Sequence, residues 1–283
     1  MHKNMNMYKN KSTKKYLSFV FVLGSIAGML SSFSITASAD DAKARAIMEK
    51  VDARDDGDNQ SSDMEMILID KRGNQRVRKI RSLSKDFGED SYRIMFFKQP
   101  ADVVNTGFLT YDYDDPDKDD DQWLYLPALK KSKRISTSDK SGSFMGSDFT
   151  YSDMTSRDLE DYDFTLKKEM EVNGHKVWVI DSVPRTQEVI KETGYTKGMA
   201  FVRQDNYVVI RAINWVKKGN KLKFMDMKGL ELIDGIWTPT EIHMTTKQGK
   251  KTEHRTILKF SDIKYNDNLD ENVFTVRRLE KGL

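Results

Sequence analysis

Through most of this chain apolar residues recur at every second position, the period of a β-strand with one buried face. Met64, Met66 and Leu68 alternate in this way, as do Tyr92, Ile94 and Phe96 and, later, Thr256, Leu258 and Phe260. Charged or polar residues fill most of the positions between them. Further strands are predicted over 75–82, 107–113, 122–127, 163–172, 175–183, 198–204, 207–217, 221–233, 236–247 and 253–264. Short turn sequences join them: Asn173-Gly174, Asp205-Asn206, Lys218-Gly219-Asn220, Asp234-Gly235 and Gln248-Gly249. About a dozen strands in series make a large, mostly antiparallel sheet, and a sheet of that size must curl or close.

Helical spacing is confined to two stretches. Over 40–54 the apolar positions Ala42, Ala46, Ile47 and Val51 predict a helix, with Asp40 or Asp41 as its cap and Gly57 beyond its end. A second helical stretch is predicted near 152–161. Several strands are apolar on both faces. In 207–216, Tyr207, Val209, Ile213 and Trp215 face one way and Val208, Ile210, Ala212 and Val216 the other; 122–127 and 175–180 are similar. Such strands need cover on both sides. So little helix cannot fill a sandwich, but it can cap a curved sheet. The expected fold is mainly β, a large curved antiparallel sheet forming a half-barrel with an apolar interior and a few helices over its concave face.

Residues 1–39 read as an address. Lys3, Lys9, Lys11, Lys14 and Lys15 come without an acidic residue, an apolar run fills 17–35, and Ala37-Ser38-Ala39 follows. This is the pattern of a secretory signal peptide, with cleavage expected between Ala39 and Asp40. The alternative, an uncleaved membrane anchor, is opposed by Gly24, Gly28 and the serines that dilute the run. The remainder, 40–283, is expected to be one soluble domain in the periplasm. Without those five lysines it carries 42 basic against 44 acidic residues, a formal charge of −2. The basic excess of the whole chain therefore belongs to the address, and no nucleic-acid footprint is left. The chain has no cysteine. It must hold itself together by packing alone, and it cannot carry the lipid of a bacterial lipoprotein.

The search for catalytic chemistry returns little. His2 lies in the leader, and His175, His243 and His254 fall on predicted strands beside charged or polar neighbours. No Gly-x-Ser-x-Gly elbow, His-Glu-x-x-His helix or glycine-rich phosphate loop is present. We expect no enzyme and no cofactor. In the acidic run 112–121, Asp117, Asp119 and Asp121 alternate as oxygen ligands do in calcium loops. The run lacks the glycine of the sharp turn and a distal glutamate, and a solvated hairpin loop is the competing reading. The basic stretch 130–134 reads as an exposed edge or turn, or as a contact for an acidic partner or lipid headgroups. In 141–154 (SGSFMGSDFTYSDM), small residues alternate with Phe144, Met145, Phe149, Tyr151 and Met154. That suits a mobile flap over an apolar opening, and equally a piece of closed core. Methionine is abundant, with 11 of the 15 residues beyond position 39. Its flexible thioether fills irregular cores and also lines cavities for varied apolar ligands.

Residues 122–135 (QWLYLPALKKSKRI) followed by 143–154 (SFMGSDFTYSDM) carry a family likeness, supported by 97–109 (FKQPADVVNTGFL), 198–204 and 269–276 (LDENVFTV). Over nearly all of 40–283 the chain resembles the LolA-like outer-membrane lipoprotein-sorting proteins, in the larger branch associated with export permeases of the resistance-nodulation-division type. The resemblance implies an antiparallel half-barrel whose hollow shields the acyl chains of a lipoprotein or other lipid between the inner and outer membranes. It implies such a permease as partner, transient contact with the outer membrane, and no catalysis. The rival reading is a periplasmic docking subunit of a permease that carries nothing. A hydrolase acting on lipid or glycan lacks the paired acid or nucleophile it would need. The expected lipid-contacting residues are Met64, Met66, Leu68, Ile94, Phe96, Leu124 and Leu126 on alternating strand positions, with Phe144, Met145, Phe149 and Met154 at the mouth.

Overall fold

A computed structural model describes residues 40–282; the predicted leader and its cleavage site after Ala39 lie outside the described residues apart from Asp40. The elements in chain order are α1 (Ala42–Asp52), β1 (Asn59–Asp70), β2 (Gln75–Phe87), β3 (Asp90–Gln99), β4 (Gly107–Asp112), β5 (Asp121–Leu126), β6 (Lys131–Arg134), β7 (Tyr162–Val172), β8 (His175–Pro184), α2 (Gln187–Thr193), β9 (Tyr195–Arg203), β10 (Val209–Val216), β11 (Lys221–Ile233), β12 (Ile236–Gln248), β13 (Lys251–Tyr265) and α3 (Val276–Lys281).

All thirteen strands form one antiparallel sheet in the order β6-β5-β4-β3-β2-β1-β13-β12-β11-β10-β9-β8-β7. The chain winds outward from the centre to β6, crosses over, and winds back from β7 until β13 closes on β1. Two edges, β6 and β7, remain, so the sheet is open. The expected strand-rich architecture is therefore present, with hairpin turns where the sequence places them. Asn173, Asn220 and Asp234 all adopt positive φ in these turns.

Paired residues across an antiparallel ladder point to the same face, so the register sorts every side chain. Met64 pairs with Phe260, Met66 with Leu258 and Ile80 with Met64. Phe97 pairs with Ile80, and Phe108 with Met95 and Leu124. These residues share one face, here called inner. Their buried cluster includes Met66, Ile80, Phe97, Phe108 and Phe144.

The opposite, outer face carries Ile94, Phe96 and Leu109, sealed by Phe274 and Leu279 of the C-terminal segment. Helix α3 thus covers the face away from the hollow, where helices were not expected. A residue larger than glycine at 107 would collide with it, since an added Cβ would lie 2.6 Å from Leu279 Cδ1.

Helix α1 begins at the cap Asp41, whose carboxylate accepts from the backbone N–H of Lys43 and Ala44. It lays Ala44 and Ile47 on the inner face over Phe164, Ile180 and Val202. The helix predicted near 152–161 is instead two single 3₁₀ turns, Ser152–Met154 and Leu159–Asp161. Side-chain bonds compete with it: the Asp153 carboxylate accepts locally from the Thr150 N–H, and Asp112, remote in sequence, accepts both the N–H and the hydroxyl of Ser156.

An apolar cavity opening into an acidic cleft

Residues 135–161, between β6 and β7, form a strap over the inner face. Met145 and Gly146 both take positive φ and turn it sharply. Its bonds run to separate strands. Arg78 of β2 donates to the Met145 carbonyl. Gln122 Nε2 of β5 donates to the Tyr151 carbonyl at 2.8 Å. The Asp148 carboxylate accepts from Thr246 of β12 at 2.5 Å and from His254 Nδ1 and Thr256 of β13 at 2.6 and 2.7 Å. Tyr195 of β9 donates to Asp153 at 2.8 Å.

Where the strap presses down it fills the sheet. Phe144 has no exposed surface and its ring meets Phe108 edge-on, centroids 5.0 Å apart. Toward the other end of β1 the inner side chains shrink, with Ser62 opposite Ser82. A cavity of about 270 Å³ remains there, lined chiefly by Met64, Met66, Met95, Leu258 and Phe260 under Phe144 and Phe149 of the strap. Its wall is mostly thioether, aliphatic and aromatic, with Gln60, Ser62, Ser82, Arg93, Asp153 and Thr238 as polar exceptions. Such a surface offers dispersion contacts and few directional bonds, so it tolerates varied apolar occupants.

The cavity shares Arg93, Asp153 and Met154 with a larger cleft of about 750 Å³. Carboxylates dominate that cleft: Asp52 ends α1 and Asp56 follows it, Asp86 and Glu89 come from the β2–β3 hairpin, and Asp112 and Asp114 lie at the end of β4. Asp158 of the strap is pushed up to about 6, first by burial and then by the charges of Asp161 and Asp112. Burial likewise raises Asp52, Asp56 and Asp86. Arg93, on the inner face of β3, stands at the junction of cavity and cleft and forms no ion pair among the described residues.

Of the residues expected at a lipid site, Met64, Met66, Phe144, Phe149 and Met154 line this cavity. Leu68, Leu124, Leu126 and Met145 are on the inner side, packed in the filled part of the cluster. Ile94 and Phe96 are misplaced by the sequence reading. They belong to the outer face beneath α3, and their neighbours Met95 and Phe97 point inward. The strap is pinned core rather than a free flap at Phe144 and Phe149; only Met154 reaches the mouth. The sequence reading missed Met95 as a wall residue, along with Ile242, Ile263 and the polar Arg93. Alternation around Leu258 and Phe260 carried a signal for that strand, though not for its role.

The acidic run is the β4–β5 connection, and its alternating carboxylates do not converge. Asp119 accepts from the Thr137 hydroxyl, and Asp121 is held by Arg134. Among the described residues no group of three or more metal-ligating side chains could hold a metal ion, which corrects the calcium candidate at Asp117, Asp119 and Asp121. The basic stretch forms the edge strand β6.

An open antiparallel sheet, strapped across one face around an apolar hollow, defines a half-barrel with a sheltered apolar site. The chain belongs to the outer membrane lipoprotein-sorting, or DUF1329, family. A solved domain from Vibrio parahaemolyticus, provisionally assigned as an outer membrane lipoprotein-sorting protein, is 34% identical over 84% of this chain and 98% of its own, with a TM-score of 0.76. A DUF1329 family protein from Desulfovibrio piger is 30% identical over the same shares, also at 0.76. A LolA superfamily protein from Nitrosomonas europaea shares the fold, with 21% identity, 83% and 98% coverage and a TM-score of 0.62. A family model described only as resembling an uncharacterized protein matches residues 89–281. No curated protein matches the chain.

Proposed function

We propose that this protein is a periplasmic carrier, exported by its leader and cleaved after Ala39, that shelters an acyl chain of a lipoprotein or other lipid during transfer between the two membranes. Residues 40–283 act as one carrier domain, with an export permease of the resistance-nodulation-division type as donor or acceptor. The observation that carries this reading is the cavity of about 270 Å³ walled by Met64, Met66, Met95, Leu258 and Phe260. Each methylene moved there from water contributes roughly 0.8 kcal/mol, enough to hold a chain and still allow release. No catalytic step is needed, and none is assigned. Met64, Met66, Phe144, Phe149 and Met154 contact the chain, and Leu68, Leu124, Leu126 and Met145 take part if the strap lifts.

The docking-subunit reading draws on a different observation, the complete burial of Phe144 in the strap, which fills part of the hollow. Mass spectrometry of lipid co-purifying with the native protein separates the two. The carrier reading expects stoichiometric acyl lipid, lost in a folded Leu258→Glu variant. Protein free of lipid and indifferent to fluorescent acyl probes would establish the rival.

A further inference from the structure

The central six strands of the sheet, in the order β2-β1-β13-β12-β11-β10, form three adjacent hairpins. The register places all three turns at one end. Asp70 at the end of β1 pairs with His254 near the start of β13, and Lys221 at the start of β11 pairs with Gln248 at the end of β12. Each turn region carries two exposed cations: Lys71 and Arg72, Lys250 and Lys251, Lys217 and Lys218. None of the six forms an ion pair among the described residues. With strands about 4.8 Å apart, the row spans about 24 Å. The opposite end of the same sheet holds the acidic cleft. The two ends of these strands thus differ in charge, with a row of unpaired cations at one and a carboxylate-rich cleft at the other.

We propose that this row of three basic turns docks the protein on an anionic lipid surface. The chemistry of the row selects that partner over an acidic protein. Its cations sit on solvated tips beside Gly73, Asn74, Gly219, Asn220 and Gly249, with no aromatic or large aliphatic side chain among them. Protein interfaces are built around buried aromatic or arginine anchors and are poor in lysine. A field of mobile phosphate headgroups asks only for several cations within a Debye length of one plane. The cavity's acidic mouth, repelled by the same surface, then faces away from the lipid, toward whatever protein loads or empties it. The proposal holds whether or not the cavity carries an acyl chain.

The test is flotation of the purified protein with vesicles of phosphatidylcholine alone and of phosphatidylcholine containing phosphatidylglycerol. The expected result is binding only to the anionic vesicles, abolished by high salt. Affinity should fall at least tenfold in a Lys217→Gln, Lys218→Gln, Lys250→Gln, Lys251→Gln variant. These side chains are exposed and unpaired, so circular dichroism should be unchanged. A Lys167→Gln, Lys168→Gln control on the far edge strand β7 should bind as the parent does. Equal binding to neutral vesicles, no binding to either, or full binding by the fourfold variant overturns the proposal. Retention on immobilised polyglutamate without vesicle binding also overturns it and assigns the row to an acidic protein.

Discussion

Asp148, in the middle of the strap, and His254 of β13 meet with Nδ1 donating to Oδ2 at 2.6 Å, and that carboxylate is almost wholly buried. Thr246 and Thr256 add their hydroxyls to the same group. One side chain thus ties the segment that roofs the hollow to the two strands that floor it.

Asp148→Ala should accordingly loosen the roof. The two threonines and the histidine would lose a common acceptor in a buried place, at a cost of about 2–4 kcal/mol. Urea unfolding should show a lower midpoint at unchanged slope. Acyl-probe association should become faster, because the strap must move for a chain to reach beyond the existing cavity. An unchanged midpoint would show that the strap is held by its apolar side chains alone.

A second prediction separates the two faces of β3. Met95→Glu puts a charge into the cavity wall and should abolish probe binding in a folded protein. Phe96→Ala lies on the outer face beneath α3, so it should destabilise by about 3–5 kcal/mol and leave the probe affinity of the folded protein unchanged. Loss of binding in both variants at conditions where both are folded would refute the assignment of faces.

That pair also shows what the sequence could and could not convey. The number of strands, their turns and the helix capped by Asp41 follow from local periodicity and turn chemistry. The face of β3 does not. Residues 94–97 are four consecutive apolar residues, all buried, and alternation cannot tell which pair looks into the hollow. The decision comes from register with β2 and β4 and from α3, a six-residue helix whose only apolar residues, Val276 and Leu279, give almost no periodic signal. The strap was equally hard to read. Its aromatic spacing serves a flap or a core, and only the hydrogen bonds of Asp148 and Gln122, both remote in sequence from their partners, settle it as core. The edge strand β6, Lys-Ser-Lys-Arg, has no apolar face to announce it.

The acidic cleft predicts an unusual pH dependence. Asp158 and, beside it, Asp120 titrate near 6, both raised chiefly by burial and then by neighbouring carboxylates. A carboxyl whose folded pKa lies above its unfolded value binds more protons in the folded state between the two values. The contribution of these groups to stability therefore rises as pH falls from about 7 toward 4, opposite to that of a paired carboxylate. Thermal unfolding should show higher stability at pH 5.5 than at pH 7.5. Asp158→Asn should raise the melting temperature at pH 7.5 and flatten the slope. A variant less stable than the parent at pH 7.5 would mean that the ionised carboxylate is wanted there.

The length of the hollow is set by one ring. Phe144 lies between the open cavity and the filled region around Phe108, Phe97 and Leu124, in edge contact with Phe108 and with Tyr151 at 5.6 Å. Phe144→Ala removes that stopper. The variant should lose about 3–5 kcal/mol of stability, since a fully buried ring leaves a void that its neighbours only partly close. A void lined by Phe97, Phe108 and Leu124 is apolar, stays dry and suits an acyl chain better than water. The preferred chain length of the bound probe should then increase, because methylenes that now stop at Phe144 could continue into the space it vacates. A series of saturated acyl probes of increasing length measures this directly. The parent should reach its affinity limit at a shorter chain than the variant. Coincident length profiles would place the chain elsewhere, and a parent that binds no probe of any length would leave the docking-subunit reading in possession of the fold.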